Sequence, residues 1–125
     1  MHNFTASSGN TFNLALYTSS ASLGAATTAY TTSNEVSGSG YTAKGNALTS
    51  VTPVADSTTA VCDFADTSFT SASFTARGCM IFNDSASGDP AVCIIDFGSD
   101  KTVTSGTFTI QFPAADASNA IVRIA

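Results

Sequence analysis

At 125 residues and 12.6 kDa the chain has room for one folding unit. Its 18 Ser and 19 Thr stand against 9 acidic and 4 basic residues, so the net charge is −5 and the surface is rich in hydroxyls rather than in charge. Lys44, Arg77, Lys101 and Arg123 are scattered singly, which excludes a phosphate-neutralising nucleic-acid surface, and no apolar run approaches the ~20 residues that a membrane-spanning helix needs.

Met1-His2-Asn3-Phe4-Thr5 lacks a basic segment followed by an apolar one, so export through a signal peptide is not expected. Residues 1–10 are predicted to form an extended N-terminal arm with a mobile His2, ahead of a domain over residues 11–125. Phe12, Leu14 and Leu16 alternate with more polar neighbours, the period-two pattern of a strand with one face on a core. Residues 23–34, mostly Ala and Thr, break that pattern and read as a long loop with room for one helical turn. Gly38 and Gly40 then suit a bulge or tight corner.

Further strands are expected over 47–51 and 59–64, with Pro53 between them marking the end of pairing or a sheet edge. Ser68-Phe69 and residues 74–82 come next. Gly78-Cys79-Met80-Ile81-Phe82 is apolar at consecutive positions, as in a strand buried on both faces. Residues 83–90 form a turn by composition, so 79–82 and 91–95 read as a hairpin at the centre of a sheet. The last elements are 106–112 and 120–124, divided by Pro113-Ala114-Ala115-Asp116. About eight short antiparallel strands, punctuated every eight to twelve residues, predict an all-β fold: a single β-sandwich or jelly roll with long polar loops. Nine Phe and no Trp place phenyl rings in the space between two sheets.

Cys62, Cys79 and Cys93 sit in apolar runs and are expected as small core residues in a reducing compartment; zinc is disfavoured because no Cys-x-x-Cys pair or partner histidine is present. With His2 the only histidine, a Ser-His-Asp or Cys-His site lacks an anchored base. Asp63 with Asp66, and Asp96 with Asp100, are the remaining acid-base pairs, and their positions at strand ends favour local hydrogen bonding to backbone amides over glycosidase chemistry. Asn83-Asp84 with Asp89 offers oxygens to Ca²⁺ without the spacing of a helix-flanked calcium loop, and a turn is the better reading. Gly38-Ser39-Gly40 lacks the Lys-Ser/Thr and the helix of a phosphate cradle. Asn3-Phe4-Thr5 and Asn83-Asp84-Ser85 fit the glycosylation pattern, which carries no weight without a secretory route. The reading is therefore non-enzymatic, with no cofactor and no metal, and points to binding or assembly.

Leu14-Ala15-Leu16-Tyr17-Thr18-Ser19-Ser20, Thr28-Ala29-Tyr30-Thr31 and Asn34-Glu35-Val36-Ser37-Gly38-Ser39-Gly40-Tyr41 carry a resemblance, together with Phe74-Thr75-Ala76-Arg77-Gly78, Ile81-Phe82-Asn83-Asp84, Asp96-Phe97-Gly98-Ser99-Asp100-Lys101 and Phe112-Pro113-Ala114-Ala115-Asp116-Ala117. Over residues 12–125 the chain resembles small virion structural proteins of tailed bacteriophages. That resemblance implies first a capsid decoration (cement) protein of the jelly-roll type. Such a protein associates as a dimer or trimer, binds the major capsid protein on the outer shell of the virion after assembly in the host cytoplasm, and stabilises the expanded capsid. A tail, neck or fibre-associated component is the second implication. A host-surface glycan-binding module using Tyr17, Tyr30 and Tyr41 is a third reading, set against half-buried strand positions for the same tyrosines. For the cement reading the expected contact segments are the loops 23–34 and 37–44 and the arm 1–10, because long polar segments outside a sandwich are free to order against neighbours.

Overall fold

The computed structural model describes residues 2–124; Met1, the first residue of the expected arm, and Ala125, the last of the expected domain, lie outside the described residues. Among the described residues, seven strands form two antiparallel sheets. These are β1 (Phe12–Tyr17), β2 (Asn46–Ala47), β3 (Ser50–Asp56), β4 (Thr59–Phe64), β5 (Thr67–Asn83), β6 (Ala91–Ile110) and β7 (Val122–Ile124). One sheet has the order β2-β1-β5-β6 and the other β3-β4-β7. No helix occurs among the described residues, so the helical turn allowed for in residues 23–34 is absent.

The count of about eight short strands is corrected to seven, two of them long. Ser68-Phe69 and residues 74–82 belong to one 17-residue strand, and residues 91–97 and 106–110 to one 20-residue strand. Bulges keep the chain in register where the polar residues had suggested breaks. The β5–β6 pairing shifts between Phe69 and Ala72, between Ala72 and Phe74, and between Ala76 and Gly78, with Ser71, Gly98 and Ser105 at positive φ. Conversely, the run expected as one strand over 47–51 divides between the sheets, β2 pairing β1 and β3 pairing β4. Pro53, expected in a loop between strands, lies inside β3 instead; β3 is an edge strand, the setting that tolerates it, and its register with β4 shifts between Val51 and Val54.

The alternation in β1 sorts its side chains onto two covered faces. Phe12, Leu14 and Leu16 join Phe64, Phe69, Phe74, Cys79 and Ile81 in the larger apolar cluster, while Ala15 and Tyr17 join Met80 and Phe82 in a smaller one beneath Leu23 and Tyr30. The rings do meet as the composition anticipated: Phe12 lies 5.7 Å from Phe64 of the other sheet, and Phe74 lies 5.2 Å from Phe108.

The segment expected as an extended arm is folded onto this core. Phe4 stacks on Phe12 with centroids 4.6 Å apart, and Gly9 and Asn10 donate backbone hydrogen bonds to Thr5 and Asn3. His2, expected to be mobile, packs against Phe4 and Phe12, and its Nδ1 lies 3.1 Å from Asn83 Nδ2. An apolar Phe eight residues ahead of a core strand is reason enough, since leaving it in water forfeits its burial free energy.

Candidate functional site

The two loops singled out by sequence meet at one acidic side chain. Glu35 accepts from the Tyr30 hydroxyl at 2.5 Å through Oε2, and from the Tyr41 hydroxyl at 2.6 Å and the Lys44 amide at 2.8 Å through Oε1. Tyr30 lies in the first loop and Tyr41 and Lys44 in the second, so one carboxylate clasps both. Tyr41 in turn accepts the Leu16 amide at 2.9 Å, and Tyr17 donates to the Thr31 carbonyl at 2.7 Å, which ties the clasp to β1. Burial, reinforced for Tyr30 and Tyr41 by the Glu35 hydrogen bond, pushes all three phenols upward, Tyr17 to about 12.

These tyrosines are therefore positioning groups. Tyr17 is 1% exposed in β1, and Tyr30 and Tyr41 are half-buried loop residues with their hydroxyls engaged internally. The glycan-contact reading loses its contact residues, and the alternative of strand positions holds for Tyr17 alone. No cue in the local sequence announced Glu35, which is the only Glu in the chain. Its significance arises from the return of two loops to the same place.

Beside the clasp, Lys44 Nζ sits 2.7 Å from Asp84 and 2.8 Å from Asp89, and 5.7 Å from the Tyr30 ring centroid. Those are the carboxylates weighed for Ca²⁺, and an ammonium of the chain itself stands between them. Pairing with Asp84 and Asp89 holds the Lys44 pKa above its ordinary value. Asn83, of the second glycosylation pattern, is fully buried and donates to Asn10 Oδ1, so it presents no acceptor amide to a modifying enzyme.

The two carboxylate pairs are engaged separately. Asp96 accepts from Gly98 and from Arg77, which lowers its pKa, and Arg77 also lies 3.9 Å from Asp100. Asp66 accepts the Phe112 amide at 2.7 Å. Asp63 is 3% exposed and accepts from the Phe64 amide, and its Oδ2 has no partner among the described residues; burial raises its pKa. The cysteines are free, Cys79 buried with its thiol pushed up to about 12 by desolvation, Cys62 and Cys93 half-buried.

A concavity of about 540 Å³ lies between β6 and the segment that follows it, lined mainly by Ile95, Phe97, Phe108, Phe112 and Ile121. Lys101 is its single charged residue. It gives an apolar contact surface without converging acid, base and nucleophile.

Around the clasp, Thr32, Ser33, Asn34, Ser37, Ser39 and Thr42 are exposed, a hydroxyl-bearing rim on loops whose backbones are fixed. Gly40 and Gly45 make the fixation possible: both have positive φ, and a Cβ on Gly45 would fall 1.8 Å from the Leu14 carbonyl oxygen. Comparison with protein-family models, with curated proteins and with solved structures finds no match for the chain.

Proposed function

We propose that this chain is a non-enzymatic virion structural protein of a tailed bacteriophage, a capsid decoration protein that binds the major capsid protein on the outer shell. The two sheets are read as a β-sandwich of jelly-roll type, and the protein as self-associating. The observation that carries the reading is the pair of loops 23–34 and 37–44, drawn together by Glu35 into one polar, pre-ordered rim. A surface held in one conformation before contact loses little entropy on docking, and short Ser and Thr side chains add little more. The sequence resemblance to phage structural proteins supplies the kind of surface it docks on. Binding the expanded shell in preference to other states stabilises that shell by mass action.

Purified protein mixed with expanded, undecorated capsids is expected to bind stoichiometrically and to raise their melting temperature. With few ion pairs available, attachment should survive high ionic strength. Binding confined to tails, or none to expanded shells, would sink the reading.

A further inference from the structure

The larger sheet turns more apolar surface toward the core than the smaller one covers. Ile95, Phe97, Phe108 and Ile110 of β6 pack against the main apolar cluster, yet all four are only half-buried. The three-stranded sheet ends at β7, whose three residues pair with Ala60, Cys62 and Val61 of β4 alone. Beyond it the cover is the chain that follows β6, which brings up Phe112 and Ile121 and leaves the crevice of about 540 Å³. Cys79, 1% exposed, also lines it, so the crevice reaches down to the sheet. Its volume and apolar walls are those of a small-molecule site, ~300–1,000 Å³ with few polar groups.

The charge at this crevice is not spent within the fold. Lys44 pairs with Asp84 and Asp89, Arg77 lies against Asp96 and Asp100, and Arg123 donates to the carbonyls of Ala117 and Ser118. Lys101 makes no ion pair and no side-chain hydrogen bond among the described residues, although the chain carries nine acidic residues against four basic ones. Its cross-strand partner is Ala76, a fully buried member of the core cluster, so register puts Lys101 on the inward face of the edge strand. No carboxylate lines the crevice among the described residues.

We propose that this crevice binds a free single-chain amphiphile with an anionic head, a fatty-acid-like carboxylate whose tail lies among Phe97, Phe108, Phe112 and Ile121 and whose head meets Lys101. Charge complementarity and wall chemistry select that class together. A cationic amphiphile meets the ammonium group, and a sugar or nucleotide sets its hydrogen-bonding groups against phenyl and isoleucyl walls that cannot satisfy them. An inward charge on an edge strand also discourages strand addition, but that role alone gives no affinity for an alkyl carboxylate. The site goes beyond the virion reading, since it is a property of the isolated chain.

Calorimetric titration of the full chain with hexanoate, octanoate and decanoate, each below its micelle concentration, should show one site that tightens about fourfold per methylene, reaching a Kd of about 0.1 mM for decanoate. Methyl resonances of Ile95, Ile110 and Ile121 should shift on saturation, and the thermal unfolding temperature should rise. Octanoate should bind about fivefold more tightly than 1-octanol, and that preference should vanish in Lys101→Met, an exposed substitution that keeps the aliphatic stem. Vesicles of phosphatidylglycerol, which offer the anionic amphiphile only within a bilayer, should stay unbound. Overturning results are an absence of saturable decanoate binding, shifts away from the three isoleucines, a lowered unfolding temperature, equal affinity for octanoate and 1-octanol, or binding to vesicles without binding to free decanoate. Decanoate binding by a chain that ignores expanded shells overturns the virion reading only, and the converse result overturns only the amphiphile site.

Discussion

β1 and β3 are strands of nearly equal length with opposite fates. Five of the six residues of β1 are buried, whereas six of the seven residues of β3 are exposed. Their own apolar content does not account for the contrast, since Val51 and Val54 are 38% and 48% exposed. What differs is the chain that returns over them. β1 has β2 and β5 at its sides, the Glu35 clasp over one end, Phe4 on one face and Tyr30 with Leu23 over the other. β3 has β4 alone beside it and meets the rest of the chain through contacts such as Asp56 accepting the Ala117 amide. Burial here is conferred by loops, so stability should be concentrated where loops return.

The largest test of that contrast is a pair of truncations followed by urea unfolding. Phe12→Ala, which empties a fully buried site stacked against Phe4, should cost about 3–5 kcal/mol. Val54→Ala should stay within about 0.5 kcal/mol. Equal losses would mean that the two sheets carry stability evenly.

A smaller effect, on the clasp itself, is expected from Glu35→Gln. Three donors converge on a carboxylate in the wild type, and replacing its charge should remove about 2 kcal/mol. The clasp also sets an alkaline limit. Tyr17 keeps its proton in the folded state to about pH 12, against an ordinary value of 10.0. The stability this represents is complete below 10.0 and lost as pH rises from there to about 12, so tyrosinate absorbance should appear together with unfolding rather than before it.

Smallest, and opposite in sign, is Asp63→Asn in the three-stranded sheet. The raised carboxyl pKa means that the wild type loses stability as pH climbs from the ordinary value of 3.8 through the raised one. An amide keeps an oxygen for the Phe64 amide and carries no charge, so the variant should be about 1 kcal/mol more stable at neutral pH and nearly equal in acid. A destabilised variant would show that Asp63 serves a partner.

The all-β class, the strand at 12–17, the turn after Asn83 and the sheet edge marked by Pro53 were legible because each rests on local periodicity or on one residue's backbone restriction. The continuity of β5 and β6 was not. Residues 70–73 and 98–105 fell between the expected strands, and only pairing with a neighbour strand shows that they carry bulges within a ladder. The candidate loops were legible as polar and long, but their meeting point was not, because a lone Glu has no periodicity and Lys44 reaches Asp84 and Asp89 only through tertiary folding.

The placement of β1 also dictates the order in which the chain can fold. β3–β4 and β5–β6 are hairpins closed by short turns, whereas Phe12 pairs with Asn83 and Leu14 with Ile81, across most of the chain. Loop-closure entropy favours the hairpins first, and the first strand made must be among the last inserted. Until it docks beside β5, its phenyl and leucyl side chains, which pack with Phe64, Phe69 and Ile81, stay wet. The speed limit of this small protein is therefore set at its beginning, by a strand that waits for residues 78–83 to be ready for it.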